Sequence, residues 1–124
     1  MYFCNILLID DDEITLELLR HILEQFIFGE TYIFSSSIKA LEFIQSDDAS
    51  NVDLVLCDWL MPELNGLDIL KSFRHRFKDC PFLMVSANPT KAMVIKAKGL
   101  GASDIIAKPF EAKSLTKKIS QLMI

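Results

Sequence analysis

Several polar side chains in this sequence stand directly after a short apolar run, at the point where the run stops. They follow four separate runs and comprise carboxylates, one hydroxyl and one ammonium group. The residues in this position are Asp10, Asp11, Asp12, Asp58, Ser86 and Lys108. Each has an ordinary explanation when taken alone, since acidic residues before a helix usually cap it. Their repeated occurrence at the ends of separate runs instead indicates one shared chemical site.

The carboxylates of this set would repel one another if folding brought them together. Two carboxylates about 4 Å apart repel by ~4 kcal/mol at an effective dielectric constant of about 20. Proteins relieve such crowding by raising a pKa or by binding a cation. Carboxylates with no neighbouring His or Cys favour a hard divalent ion, Mg²⁺ in particular. Such an ion can hold a phosphoryl oxygen beside a carboxylate nucleophile, while an ammonium and a hydroxyl group bind the remaining oxygens.

The elements that would position these groups alternate between apolar runs and amphipathic segments. The apolar runs, which are too short for helices, are residues 5–9, 31–34, 54–57, 82–85 and 105–107. Helical spacing of apolar residues predicts helices at 13–27, 38–44, 67–77, 90–98 and 111–123. Strands that are apolar throughout are typical of a parallel sheet covered by helices on both faces. The sequence therefore predicts an α/β fold, a doubly wound (βα)5 three-layer sandwich around a five-stranded parallel sheet, with its ligand site at the carboxyl ends of the strands.

Two local details of this pattern can be compared with a structure. In the first helix, the apolar positions at helical spacing are Ile14, Leu18, Leu19, Ile22, Leu23 and Phe26. Asp12 is expected to cap that helix, and the serines at 35–37 are expected to cap the second one.

The composition fits one domain with a hydrophobic core, because 51% of the 124 residues are apolar. Residues 1–68 carry 14 acids and two bases, a net charge of −12, and residues 69–124 carry 11 bases and three acids, a net charge of +8. The basic residues lack the interleaved aromatic residues of a stacking platform, so no direct nucleic-acid binding is expected. No apolar run approaches the roughly 18 residues that cross a bilayer, so no membrane association is expected. Three cysteines without metal-like or redox-pair spacing indicate a reducing, cytoplasmic location.

Four segments and the closing helix carry a family resemblance that spans nearly the whole chain. The segments are ILLIDDDE at 6–13, DLVLCDWLMPELNGLDIL at 53–70, LMVSA at 83–87 and GASDIIAKPF at 101–110. In this order they resemble the receiver domain of bacterial two-component response regulators, including the chemotaxis-type single-domain receivers. The resemblance implies a flavodoxin-like sheet with strand order 2-1-3-4-5. It also implies one receiver domain over residues 1–124, with no effector domain in this chain.

The resemblance further implies a role for each acidic residue of the set. Asp58 corresponds to the phosphoacceptor, which takes a phosphoryl group from a histidine kinase or a histidine phosphotransfer protein. Asp11 corresponds to a direct Mg²⁺ ligand and Asp10 to a ligand that acts through water. Asp58 and the backbone carbonyl of Leu60 would complete the protein's share of the metal shell.

The remaining positions of the family pattern concern the phosphoryl group and the response to it. Ser86 corresponds to the hydroxyl that follows the phosphoryl group on activation, and Ala87 to the small residue that leaves access to the site. Lys108 corresponds to the phosphate-binding ammonium, with a cis bond before Pro109. Ile105 stands where receivers usually carry an aromatic residue or His. Because isoleucine has no ring to bury, we expect phosphorylation to act differently on the face of the fourth helix, fifth strand and fifth helix, through which a downstream protein target or effector domain would bind.

Two other functions compete with a phosphorylation-controlled switch. A receiver-like adaptor that binds partners independently of phosphorylation is consistent with Ile105, but it does not explain the intact set of acids and lysine. A Mg²⁺-dependent phosphatase would need a second general acid near Asp58, yet Trp59 and Leu60 follow it. No GxxxxGK[ST] or GxGxxG loop is present to bind nucleotide phosphates. The sequence therefore predicts a phosphoacceptor signalling domain that catalyses only its own phosphotransfer and autodephosphorylation, rather than an enzyme acting on an external substrate.

Overall fold

The computed structural model describes residues 2–123, which form strands and helices in alternation. The strands are β1 (Tyr2–Phe3), β2 (Ile6–Ile9), β3 (Ile27–Phe28), β4 (Thr31–Phe34), β5 (Leu54–Asp58), β6 (Phe82–Ser86) and β7 (Asp104–Ala107). The helices are α1 (Glu13–Glu24), α2 (Ser37–Ile44), α3 (Gly66–Arg76), α4 (Lys91–Gly99) and α5 (Ala112–Leu122), and a 3₁₀ helix lies at Asp47–Asn51.

Five of the strands form one parallel sheet in the order β4-β2-β5-β6-β7. Counted along the chain without β1 and β3, this is the order 2-1-3-4-5, so the predicted fold is confirmed. The register pairs Ile9 with Cys57 and Ser86 with Ala107. The strands therefore end at one edge of the sheet. We call this edge the carboxyl rim; it comprises residues 10–12, 58–60, 86–87 and 108–109.

Both faces of the sheet are covered by helices, which explains why its strands are apolar at most positions. In β2, Leu7 and Ile9 point to the core under α2, α3 and α4, whereas Ile6 and Leu8 point to the core under α1 and α5. All four residues of β2 are at most 1% exposed. Each helix therefore runs back from the carboxyl rim and fixes the loop that precedes it.

Helix α1 differs from its prediction in length and at three apolar positions, Ile14, Leu16 and Leu18. It ends at Glu24 rather than at residue 27, and its buried residues are Leu16, Leu19 and Leu23. Ile14 is 81% exposed and Leu18 is 49% exposed. The predicted Leu19 and Leu23 are buried, and Ile22 and Phe26 pack against the same core, so four of the six predicted positions face the sheet.

Two further features were not predicted. Strands β1 and β3 form a separate two-stranded parallel sheet, in which Tyr2 pairs with Ile27 and Phe3 with Phe28. A 3₁₀ helix, Asp47–Asn51, lies between α2 and β5. Among the helices of residues 2–123, none has the length and the apolar character that a bilayer crossing requires.

Candidate functional site

Three carboxylates from two neighbouring strand ends meet at the carboxyl rim. One oxygen from each of Asp10, Asp11 and Asp58 lies within 4.8 Å of the other two. Asp58 is the last residue of β5, and Asp10 follows β2, which pairs with β5 in the sheet. Asp10 is 1% exposed and Asp58 is 8% exposed, while Asp11 is exposed to solvent. Two buried carboxylates and one exposed carboxylate at this separation form an oxygen-donor set suited to a hard divalent cation that keeps several waters.

Asp12 stands beside these carboxylates but serves α1. Its side chain accepts a hydrogen bond from the Ile14 backbone N–H at 3.1 Å and from the Thr15 hydroxyl at 2.8 Å. Its own backbone N–H donates to Asp10 Oδ1 at 2.9 Å. The predicted cap is therefore confirmed, and the same turn fixes one oxygen of Asp10.

Lys108 supplies the positive charge next to the acidic cluster. Its Nζ lies 2.7 Å from Asp10 Oδ2 and 3.3 Å from Asp58 Oδ1. The Lys108 backbone N–H donates to the Ser86 carbonyl at 2.7 Å, which ties this residue to the end of β6. The peptide bond between Lys108 and Pro109 is cis, as expected. Lys108 thus bridges two of the three carboxylates of the cluster.

The charges of the cluster shift the pKa values of Asp58 and Lys108. Burial, followed by the negative charge of Asp10, raises the pKa of Asp58 from 3.8 to about 6, although Lys108 opposes the rise. Burial lowers the pKa of Lys108, but its hydrogen bond to Asp10 and the charges of Asp10 and Asp58 outweigh burial and raise it. At neutral pH the site therefore carries a charged ammonium and an Asp58 carboxylate that is ionised at a free-energy cost.

The loop between β5 and α3 (residues 59–65, the β5–α3 loop) is closed at its base. The Trp59 N–H donates to the Val85 carbonyl at 2.9 Å, and the Gly66 N–H donates to the Trp59 carbonyl at 2.7 Å. A Cβ on Gly66 would collide with the Asp58 carbonyl oxygen and would lie 2.9 Å from Trp59 Cα. Leu60 projects from this base and is 74% exposed. Only glycine at 66 lets the start of α3 approach the end of β5 this closely.

The other predicted residues lie at or beneath the carboxyl rim. Ser86 ends β6 and is 4% exposed, and the exposed Ala87 follows it. A cavity of about 330 Å³ opens beside them, lined by Thr15, Leu18, Ala87, Lys108, Pro109 and Phe110. Ile105 is 8% exposed and packs in the core under α2, α3 and α4. The rim therefore brings the acids, Ser86, Ala87 and Lys108 to one end of the sheet, and the roles expected of Ser86, Ala87 and Ile105 remain predictions.

Ser37 is a buried residue near the site whose contacts the sequence did not indicate. The serines at 35–37 were expected to cap α2, and Ser36 does so by accepting from the Lys39 N–H at 3.2 Å. The Ser37 hydroxyl instead donates to the Pro62 carbonyl at 2.9 Å, within the β5–α3 loop. A third serine in a capping run carries no sequence pattern that distinguishes these two roles.

Comparison with known proteins gives one family over almost the whole chain. The model of the response regulator receiver domain matches residues 6–120. The chemotaxis protein CheY-3 of Vibrio cholerae is 30% identical over 120 residues, which cover 95% of this chain and 90% of that protein. The chemotaxis protein CheY of Pseudomonas aeruginosa is 31% identical over 120 residues, which cover 95% of this chain and 94% of that protein. A response regulator receiver domain protein from Clostridium thermocellum superposes with a TM-score of 0.88 at 26% identity, covering 98% of this chain and 94% of that one. The matched region contains all five strands of the main sheet and the carboxyl rim.

Proposed function

The chain belongs to the response regulator receiver family, the phosphoacceptor switches of two-component signalling, and from this premise we propose that Asp58 accepts the phosphoryl group. The observation that carries the proposal is the placement of the Asp58 carboxylate 3.3 Å from Lys108 Nζ and within 4.8 Å of Asp10 and Asp11 oxygens. The donor is the phosphohistidine of a histidine kinase or a histidine phosphotransfer protein. Transfer forms a bond from an Asp58 oxygen to phosphorus while the bond from phosphorus to the imidazole nitrogen breaks.

The oxygen-donor set at the rim fits a divalent cation, and Mg²⁺ is the cation we assign to it. Asp10, Asp11, Asp58 and the backbone carbonyl of Leu60 would hold the ion. Bound Mg²⁺ supplies neutralisation of the charge on the transferring phosphoryl oxygens. Within residues 2–123 no hydrogen bond to the Leu60 carbonyl oxygen is seen, which leaves it available to a ligand.

The protein's own groups prepare Asp58 for the transfer. Asp58 attacks as a carboxylate, and its pKa of about 6 leaves it ionised at pH 7 and above. Lys108 already contacts Asp58 and provides an ammonium for a phosphoryl oxygen. Ser86, at the end of the neighbouring strand β6, provides a hydroxyl that binds a phosphoryl oxygen in the phosphorylated state. These residues act on the protein's own side chain, so the proposed catalysis is limited to self-phosphorylation and autodephosphorylation.

We assign the output to a downstream protein target or effector domain that contacts α4, β7 and α5. Helix α4 carries an exposed apolar side chain, Ile95, which is 64% exposed. With Ile105 in place of an aromatic residue, the face changes on phosphorylation without the burial of a ring. The intact set of acids and lysine disfavours an adaptor that ignores phosphorylation. The cytoplasmic location stays a prediction.

The test uses a small phosphodonor, so that no cognate kinase is needed. With Mg²⁺ and acetyl phosphate, intact mass spectrometry of the wild-type protein is expected to show an acid-labile phosphoryl adduct that Asp58→Asn lacks. Trp59 is adjacent to Asp58 and 8% exposed, so its emission is expected to change with Mg²⁺ and again with the phosphodonor. Asp47→Asn, which removes an exposed acid of the 3₁₀ helix, serves as the charge control. A wild-type protein without an adduct, or an equal adduct on Asp58→Asn, would contradict the proposed function.

A further inference from the structure

Ser37 belongs to a small group of polar residues that the fold buries. Among residues 2–123, the buried polar or charged residues are Asp10, Ser37, Asp58 and Ser86. Three of these lie on the carboxyl rim, and the fourth, Ser37, lies in the first turn of α2 and is 3% exposed. Since burying a hydroxyl costs free energy unless it is hydrogen-bonded, its contacts are informative.

The Ser37 hydroxyl makes two hydrogen bonds, and both reach the β5–α3 loop. It donates to the Pro62 carbonyl at 2.9 Å and accepts from the Leu64 backbone N–H at 3.2 Å. These partners are 25 and 27 residues away along the chain. A single hydroxyl therefore connects α2 to two points of the loop that follows Asp58.

The loop segment between those two points is a strained turn. The Leu64 N–H also donates to the Pro62 carbonyl at 2.9 Å, which closes a three-residue turn around Glu63. Glu63 has φ of 70°, in the left-handed region that residues other than glycine rarely adopt. A γ-turn of this hand is rare and strained, and such strain persists only where surrounding contacts enforce it. Ser37 bonds to both ends of the turn and so supplies the contacts that hold it.

The same loop carries the carbonyl assigned to the metal shell. Leu60 and Met61 lie between the base of the loop, closed by the Gly66 to Trp59 hydrogen bond, and the turn held by Ser37. With both sides of this short segment fixed, the direction of the Leu60 carbonyl is fixed as well. Without the Ser37 hydroxyl, the turn at Glu63 would relax, and the end of the Leu60–Met61 segment next to that turn would move.

We infer that Ser37 is a positioning residue for the cation site: its hydroxyl, by bridging Pro62 and Leu64, holds the β5–α3 loop and with it the Leu60 carbonyl assigned to the metal shell. The inference rests on the proposed function, because it concerns the Mg²⁺ site assigned there. It adds a residue from α2, a helix that contributes no ligand, to the determinants of cation affinity.

The experiment compares two neighbouring serines of the same helix end. Ser37→Ala removes the hydroxyl that holds the loop, and Ser36→Ala removes the hydroxyl that caps α2 without contacting the loop. We expect Ser37→Ala to raise the Mg²⁺ dissociation constant about three- to tenfold, the effect of losing one or two net hydrogen bonds. Ser36→Ala is expected to leave that constant unchanged although it destabilises the helix. The constant is measured by Trp59 emission and by calorimetry, with folding checked by circular dichroism.

A second variant separates positioning of the loop from general destabilisation. Glu63→Gly removes the strain of the left-handed residue, so adding it to Ser37→Ala is expected to recover part of the lost Mg²⁺ affinity. If Ser37→Ala does not fold, Ser37→Cys, a weaker hydrogen-bond donor of similar shape, takes its place. Equal Mg²⁺ affinity in wild type and the Ser37 variant, or an equal loss in Ser36→Ala, would overturn the inference while leaving the proposed function intact. A wild-type protein that binds no Mg²⁺ would instead overturn the proposed function, and the inference with it.

Discussion

Replacing Asp58 with asparagine is expected to stabilise the cation-free protein at neutral pH. Burial and then the charge of Asp10 raise the pKa of Asp58 from 3.8 to about 6. A carboxyl group whose pKa is higher in the folded state binds its proton more tightly there than in the unfolded chain. The free energy of unfolding therefore falls as the pH rises from about 4 to about 6, and the loss is complete above that range.

The size of the effect follows from the same two pKa values. The difference between 3.8 and about 6, at about 1.4 kcal/mol for each pH unit, sets an upper limit of ~3 kcal/mol at pH 7.5. Lys108 loses one of its two partners in Asp58→Asn and keeps Asp10 at 2.7 Å, and this loss is already included, because the pKa of about 6 is the value that Lys108 opposes. We therefore expect Asp58→Asn to be more stable by about 1–3 kcal/mol, or roughly 3–12 °C in Tm for a chain of this length.

The assay is urea and thermal unfolding in EDTA at pH 7.5 and pH 4.5, followed by circular dichroism. The gain is expected at pH 7.5 and should fall to about a third or less at pH 4.5, where Asp58 is protonated in the folded wild-type protein. Asp47→Asn removes the same charge from an exposed position and is expected to change stability by less than about 0.5 kcal/mol. An equal increase in the free energy of unfolding at both pH values, or no increase at pH 7.5, would refute the argument that the ionised Asp58 carboxylate destabilises the folded protein.

Two further predictions concern the neighbours of Asp58. Gly66→Ala places a Cβ 2.9 Å from Trp59 Cα and against the Asp58 carbonyl, so it is expected to destabilise the fold by about 2 kcal/mol or more and to reduce acetyl phosphate labelling at least about tenfold. Gly99→Ala, where a Cβ would meet nothing within 4 Å, is the matched control, and equal effects of the two changes would contradict the steric argument. Lys108→Met removes the cation that opposes the pKa rise of Asp58, so a carboxyl NMR titration is expected to show that pKa above about 6. An unchanged or lower pKa of Asp58 in Lys108→Met would show that the ion pair with Lys108 has little effect on the pKa of Asp58.

The sheet and the position of the site were predictable because both follow from simple periodicity. A strand buried on both faces has an apolar side chain at every position; β2 shows this pattern throughout, and β6 shows it up to its last residue, Ser86. Parallel strands must all end at one edge, so the first polar residue after each strand is brought to the same place. Asp58 ends β5 and Lys108 follows β7, strands that are not neighbours, yet this rule predicts that these two residues lie at the same edge of the sheet.

Helix α1 shows where periodicity stops being sufficient. The predicted face of this helix included Leu19 and Leu23, which are buried, but also Ile14 and Leu18, which are exposed, and it left out the buried Leu16. Spacing identifies residues that share a face, but only the direction in which the helix leaves β2 decides which face meets the sheet. Strands β1 and β3 were not predicted for a different reason: each has only two residues, which are too few to show a periodic pattern of apolar side chains.

The role of Ser37 could not be predicted because its partners are backbone atoms. The Pro62 carbonyl and the Leu64 N–H have no side-chain identity that a sequence motif could record. Their positions depend on the turn at Glu63, which in turn depends on how α2 and α3 pack. Residues that act through backbone geometry become visible only when the loop conformation is known.

The arrangement of charges at the carboxyl rim lowers the stability of the fold in favour of function. One lysine contacts two of the three carboxylates, and the ionised Asp58 weakens the cation-free fold at neutral pH because it is buried beside Asp10. The same crowding raises the affinity for a divalent cation, since a bound ion removes repulsion that the folded protein already carries. Mg²⁺ should therefore stabilise the wild-type protein more than Asp58→Asn. As Mg²⁺ is added, the difference in the free energy of unfolding between the two proteins should become smaller or change sign. A site built only for stability would carry asparagine at position 58, and the cost of the carboxylate is consistent with a residue kept for its reactivity.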